Sequence, residues 1–166
     1  MAIEIERRFL VKPDAWHQLV SQQKLKGKRY VQGYLCMGEK AVIRVRIADT
    51  QAWITIKGKT SHATRTEFEY PIPVADAQQM LRLLTANTLI QKTRYHLATD
   101  EDGYWEVDVF HDENEGLIIA ERELMLPGQF LILPEWIDRE ITEDPRFYNM
   151  NLALHPFKNW SHELKS

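Results

Sequence analysis

The chain is 166 residues long, which suits one domain, and its 44% hydrophobic and 27% charged residues mark an ordinary globular composition rather than a disordered one. Its 21 basic and 24 acidic side chains leave a net charge of −3, which argues against an outer surface built for nucleic acid. The single cysteine, Cys36, excludes an intrachain disulfide and a Cys2His2 zinc site; with an N-terminus charged throughout and no apolar run of about 18 to 20 residues, the expectation is a cytoplasmic protein without a membrane span.

Alternation and β-rich composition predict strands at 2–11, 29–37, 41–48, 52–58, 65–71, 89–98, 104–111 and 117–125. Pro13 opens a predicted helix to about Gln23, because Lys12 before it is restricted away from helix. A second helical pattern runs over 74–86 through Ala77, Met80, Leu81 and Leu84. A third, short helix is predicted at 145–152 with Pro145 in its first turn. Polar breaks of hairpin length, such as Gly38 to Lys40 and Asp49 to Gln51, make successive strands antiparallel. Eight strands is about the number that closes a small barrel. The predicted class is therefore α+β, mainly antiparallel β: a closed eight-stranded barrel with a few flanking helices. Residues 1–157 read as one domain, and Lys158–Ser166 as a polar tail prone to fray.

The charged positions share faces. Period two puts Glu4, Glu6 and Arg8 together, then Arg44 with Arg46, Glu67 with Glu69, Lys92 with Arg94, Glu106 with Asp108, and Glu121 with Glu123; Lys57 lies opposite Ile54 and Ile56. Most antiparallel sheets expose such a face to water. Here, however, the faces are dense in doublets of one sign, which repel unless an opposite charge sits between them. A closed sheet can reverse the usual sides, with its apolar face outward under helices and its charged face lining a lumen. Magnesium is held by carboxylates plus substrate phosphates, and Arg and Lys grip phosphate. Acidic and basic doublets serve together where a metal bridges acid to phosphate, so the pattern points to a polyanion-metal site.

Residues 4–8, Glu-Ile-Glu-Arg-Arg, followed by Phe9-Leu10-Val11, resemble the N-terminal signature of the CYTH superfamily, the triphosphate tunnel metalloenzymes. The resemblance continues through Tyr30 to Leu35, Arg44-Val45-Arg46, Ile54 to Gly58, Arg65 to Tyr70, Lys92 to Tyr95, Trp105 to Val109 and Ala120 to Leu124, in the family's order. It is nearest to the short bacterial members similar to inorganic tripolyphosphatases. Arg8 stands where the signature has Lys. The resemblance implies an eight-stranded tunnel, Mg2+ or Mn2+ as cofactor, and hydrolysis of a triphosphate, most simply inorganic tripolyphosphate. It implies Glu4, Glu6, Asp108, Glu121 and Glu123 as metal ligands. Arg8, Arg44, Arg46, Lys57, Lys92 and Arg94 are implied as the phosphate-binding set. Glu4, Glu6, Asp108 and Lys57 would carry catalysis, by in-line attack of water with no covalent nucleophile. Glu67 and Glu69 share the tunnel face without an assigned role, and Tyr30 is either a core tyrosine or a residue that orients tunnel side chains. The partner is an inorganic or organic triphosphate, with no nucleic acid and no membrane, and a homodimer is suggested. Class IV adenylyl cyclase or thiamine triphosphatase activity, and a polyphosphate-binding module without turnover, are the alternatives. Arg7 should point away from the tunnel by parity. The six histidines show no metal-ligand spacing, and the five tryptophans are expected to brace the barrel's outside and the C-terminal segment.

Overall fold

A computed structural model describes residues 5–58, 66–99, 103–126 and 128–165, with the side chains of 163 and 164 left aside. The elements, in chain order, are β1 (Ile5–Val11), α1 (Pro13–Gln23), β2 (Lys28–Met37), β3 (Ala41–Ala48), β4 (Gln51–Gly58), β5 (Glu67–Ile72), α2 (Val74–Leu83), β6 (Ile90–Ala98), β7 (Tyr104–Phe110), β8 (Ile118–Leu124), β9 (Ile137–Glu140), α3 (Asn149–Leu154) and α4 (His162–Lys165). All strands join one antiparallel sheet of order β5-β4-β3-β2-β6-β7-β8-β1-β9.

The sheet is antiparallel as expected, but it differs from a closed eight-stranded barrel in two ways. It has a ninth strand, and among the described residues no ladder joins its end strands. β1 pairs with β8 on one edge and with β9 on the other, so β9 rather than β1 is the end strand on that side. β9 escaped the sequence pattern because only four residues follow the Pro134 turn.

The outer face is the apolar one. Phe9, Val11, Trp105, Val107, Ile118, Ala120 and Leu124 pack with Trp16 of α1 and with Trp136. Pro13 starts α1 where its missing N–H costs nothing, and Lys24 ends it in the left-handed region with φ 51°. A second outer patch joins Val45 and Ala52 to Ala77 and Leu81, one turn apart on α2. At Gly33 a Cβ would lie 2.7 Å from Thr85 and 2.9 Å from Leu81, so glycine is what lets this patch close on β2. α2 stops at Leu83, and Leu84 is exposed rather than part of the apolar stripe expected for 74–86.

One end of the inner face is plugged. Leu10, Tyr34, Ile90, Phe110 and Ile119 come from five strands, yet they gather around Ile141, Phe147, Leu152 and Ala153. The predicted helix 145–152 is in fact two pieces, a 3-10 turn at Pro145–Phe147 and α3. The Asp144 carboxylate caps the turn by accepting from the Arg146 N–H, and Tyr148 is extended, which breaks the helical run. Beyond the plug, Trp160 packs on Phe147 and Phe157, so the segment read as a tail contributes an aromatic contact. No helix among the described residues is long and apolar enough to cross a membrane.

Candidate active site

The register assembles the charged positions onto one continuous surface. Glu6 stands opposite Glu123, Arg8 opposite Glu121, Glu121 opposite Glu106, and Asp108 opposite Arg94. Lys92 pairs with Tyr30, Gln32 with Arg46, Arg44 with Thr55, Thr55 with Glu69, and Lys57 with Glu67. Directly opposed residues of an antiparallel pair share a face. All of these side chains therefore lie on the side away from α1 and α2, with Arg8, Lys92 and Asp108 buried there and Glu6, Glu67, Glu69 and Glu123 exposed.

Two zones differ in how the charges are satisfied. In the deeper zone Asp108 is 3% exposed. Its Oδ2 accepts from Lys92 Nζ at 2.6 Å, and Arg94 grips both oxygens at 2.7 Å through Nε and Nη2. Burial opposes ionisation of Asp108, but the Lys92 charge and the Arg94 hydrogen bond and charge outweigh it, so the carboxyl titrates well below the ordinary range. Burial pulls Lys92 below the usual lysine value, and Arg94 adds to this against the pull of Asp108. Arg94 also reaches Glu106, which burial pushes up together with the nearby Asp108 and Glu121 charges. His96 contacts the same Glu106 at 3.2 Å, so one histidine does reach this face.

The second zone lies on β3, β4 and β5. Thr55 is fully buried; its hydroxyl donates to Glu69 Oε2 at 2.8 Å and accepts from Arg44 Nη2 at 3.3 Å. Arg44 and Arg46 stand 3.8 and 3.6 Å from Glu69, and Lys57 3.3 Å from Glu67. Despite these neighbours, the Nε–H groups of both Arg44 and Arg46 are buried without an acceptor among the described residues. Burial, with Arg46 adjacent, lowers the Arg44 pKa. Arg46 lies 5.7 Å over the Tyr30 ring and 5.6 Å over Trp53, and Arg94 lies 5.2 Å over the same Tyr30 ring. Tyr30 thus separates two like charges. Trp53 belongs to this inner face rather than to the barrel's outside, as its parity with Lys57 allows one to read.

The carboxylates of Glu6, Glu121 and Glu123 sit on the paired strands β1 and β8. Glu4 lies outside the described residues. Oxygen donors of this kind suit Mg2+ or Mn2+ rather than a soft metal. Among the described residues no group of three His, Cys, Asp or Glu already stands as a cage. Mg2+ does not require one, since it is commonly held by one or two carboxylates with substrate phosphates completing the shell. The donor set fits the ion. Arg7, by contrast, points away as expected, with two hydrogen bonds to Glu140 and its guanidinium over Phe9.

A model of the CYTH domain matches residues 2–148. The chain belongs to the CYTH family. An inorganic triphosphatase of Acetivibrio thermocellus is 41% identical over 160 residues, spanning 96% of this chain and 99% of that relative. An inorganic triphosphatase of Nitrosomonas europaea is 33% identical over 156 residues, spanning 91% and 97%. The crystal structure of the inorganic triphosphatase NE1496 superposes with a TM-score of 0.71 at 32% identity, covering 93% of this chain and 96% of that one. Within this CYTH chain, Thr55 and Gln32 carry no charge and so gave no signal in the doublet pattern. Each is 1% exposed or less on the charged face, which is where they enter the site.

Proposed function

We propose that this CYTH protein hydrolyses inorganic tripolyphosphate to pyrophosphate and phosphate, with Mg2+ or Mn2+ as cofactor. The observation that carries the proposal is the pair of buried Nε–H groups on Arg44 and Arg46 that have no acceptor among the described residues, on the same face as the Glu6, Glu121 and Glu123 carboxylates. A buried donor without an acceptor is costly, and phosphate oxygens relieve that cost. A face that needed only to bind polyanions would gain nothing from adding carboxylates.

Arg44, Arg46, Lys57 and Arg94 bind the phosphate chain and offset the charge that builds on it as the terminal P–O bond breaks. Tyr30, Thr55 and Glu69 hold the three arginines in place, and Glu67 holds Lys57. Asp108, implied by the family resemblance as a metal ligand and catalytic acid, has both carboxylate oxygens taken by Lys92 and Arg94, so in this reading it positions those two cations instead. Water attacks the terminal phosphorus, pyrophosphate leaves, and no side chain is bonded covalently. Glu6, Glu121 and Glu123, with Glu4 by family resemblance, are the residues that would hold the metal, which when bound neutralises phosphate oxygens and acts as a Lewis acid. A cytoplasmic location and a homodimer belong to the same proposal, and light scattering tests the second. The activity itself is tested by phosphate release from tripolyphosphate, pyrophosphate, ATP and thiamine triphosphate in magnesium. Tripolyphosphate should be turned over fastest, and faster turnover of ATP or thiamine triphosphate would overturn the substrate assignment.

A further inference from the structure

Arg8 is buried and bonded to two distant parts of the chain. Its residue is 5% exposed. Nε donates to Glu121 Oε1 at 2.9 Å, Nη2 donates to the Phe147 carbonyl at 3.2 Å, and the guanidinium lies 5.4 Å over the Tyr148 ring. The backbone is tied to the same region: the Arg8 N–H donates to Thr142 Oγ1 at 3.0 Å, and its carbonyl accepts from the Ile141 N–H at 2.8 Å. One residue of β1 is thereby bonded to Glu121 on β8 and to both ends of the 141–148 stretch. That stretch supplies Ile141 and Phe147 to the apolar plug and leads directly into α3.

The geometry suits a planar fork. Guanidinium donors diverge at fixed angles, so one arm can stay on a carboxylate while the other stays on a carbonyl. A lysine ammonium keeps the charge, but it is a single point on a flexible stem and does not fix the angle between the two acceptors. With its donors on Glu121 and Phe147, Arg8 stands apart from Arg44 and Arg46, whose Nε–H groups have no acceptor.

We propose that Arg8 is a positioning residue that couples the C-terminal plug to Glu121, setting the orientation of that carboxylate rather than gripping the triphosphate. Glu121 enters here as a metal ligand on the activity proposed above, whereas its coupling to the plug stands without that activity. Residues that orient a metal ligand typically change metal affinity by about 10- to 100-fold when removed.

Wild type, Arg8→Lys and Arg8→Ala are compared by Mn2+ binding in electron paramagnetic resonance, tripolyphosphate binding by calorimetry in EDTA, amide hydrogen exchange over residues 141–154, and steady-state hydrolysis. The expected result for Arg8→Ala is Mn2+ affinity weaker by about tenfold or more. Exchange in the plug should be faster by about tenfold, marking its release. Metal-free tripolyphosphate affinity and the KM at saturating Mg2+ should stay within about threefold of wild type, since the lost charge faces Glu121. Arg8→Lys should recover part of the Mn2+ affinity but leave the plug exchanging faster than wild type. If Arg8→Ala does not fold, the same readouts on Arg8→Lys decide the matter. Unchanged Mn2+ affinity and plug exchange, with a large loss of metal-free tripolyphosphate binding, would make Arg8 a substrate ligand and overturn the proposal. A wild type that binds Mn2+ but leaves tripolyphosphate intact would instead overturn the proposed activity, while the exchange data still judge the coupling.

Discussion

Lys92 Nζ lies 2.6 Å from Asp108 Oδ2, and their side chains are only 2% and 4% exposed. Arg94 completes the group by taking both Asp108 oxygens. Removing one member of a buried pair strands the other, at a cost of about 3–5 kcal/mol. Asp108→Asn leaves two cations facing an uncharged amide, so urea unfolding should show a loss of that size. A change under about 1 kcal/mol, the range of an exposed ion pair, would mean that the trio is not closed off from water.

The same group sets the acid limb of stability. Asp108 titrates well below the ordinary carboxylate range in the folded chain, so its contribution is complete above the unfolded value of about 3.9 and is lost as pH falls below it. Glu106 has the opposite sign. Its folded pKa is raised, chiefly by burial, so stability is lost as pH rises from the unfolded value of about 4.3 through the folded one. In metal-free buffer, Glu106→Gln should therefore melt progressively higher relative to wild type as pH increases through that window. A difference independent of pH would place Glu106 in contact with bulk water.

The acceptorless Arg44 and Arg46 donors predict stabilisation by linear phosphates even without metal. A ligand at 100 times its Kd adds about 2.7 kcal/mol to the native state. Tripolyphosphate should raise the melting temperature more than pyrophosphate, which reaches fewer of the cations on β3, β4 and β6. Arg46→Ala should shrink the tripolyphosphate shift by more than half. Equal shifts from both anions would count against a site shaped for three phosphates.

Glu6→Gln separates chemistry from folding. The side chain is exposed and shares its face with Glu123 and Glu121. Exchanging the carboxylate for an amide of nearly the same size should lower kcat by orders of magnitude in a protein that still unfolds cooperatively. A variant with normal turnover would remove Glu6 from the metal set.

Much of this site could be read from alternation. Once Glu121 and Glu123 are granted a strand, period two carries them to one face, and like-sign doublets are unstable there without an opposite partner. The strand at 41–48, the strand expected at 104–111 and found at Tyr104–Phe110, and the helix from Pro13 followed from the same local rules. What could not be read depends on distant contacts. The commitment of Arg8 to Phe147 links residues 139 apart in sequence, and nothing near Arg8 announces it. Thr55 looks like any strand threonine until register sets it between Arg44 and Glu69. β9 is too short for a pattern, yet it takes the outer edge of β1 and becomes the end strand of the sheet.

On the proposed function, carboxylates and cations of one inner face act together on a metal-bound triphosphate. Phosphate release from tripolyphosphate, followed with Mg2+ and again with excess EDTA, tests it most directly. Steady multiple turnovers in Mg2+ and none in EDTA are predicted. Undiminished release in EDTA, or none in either Mg2+ or Mn2+, would contradict the account.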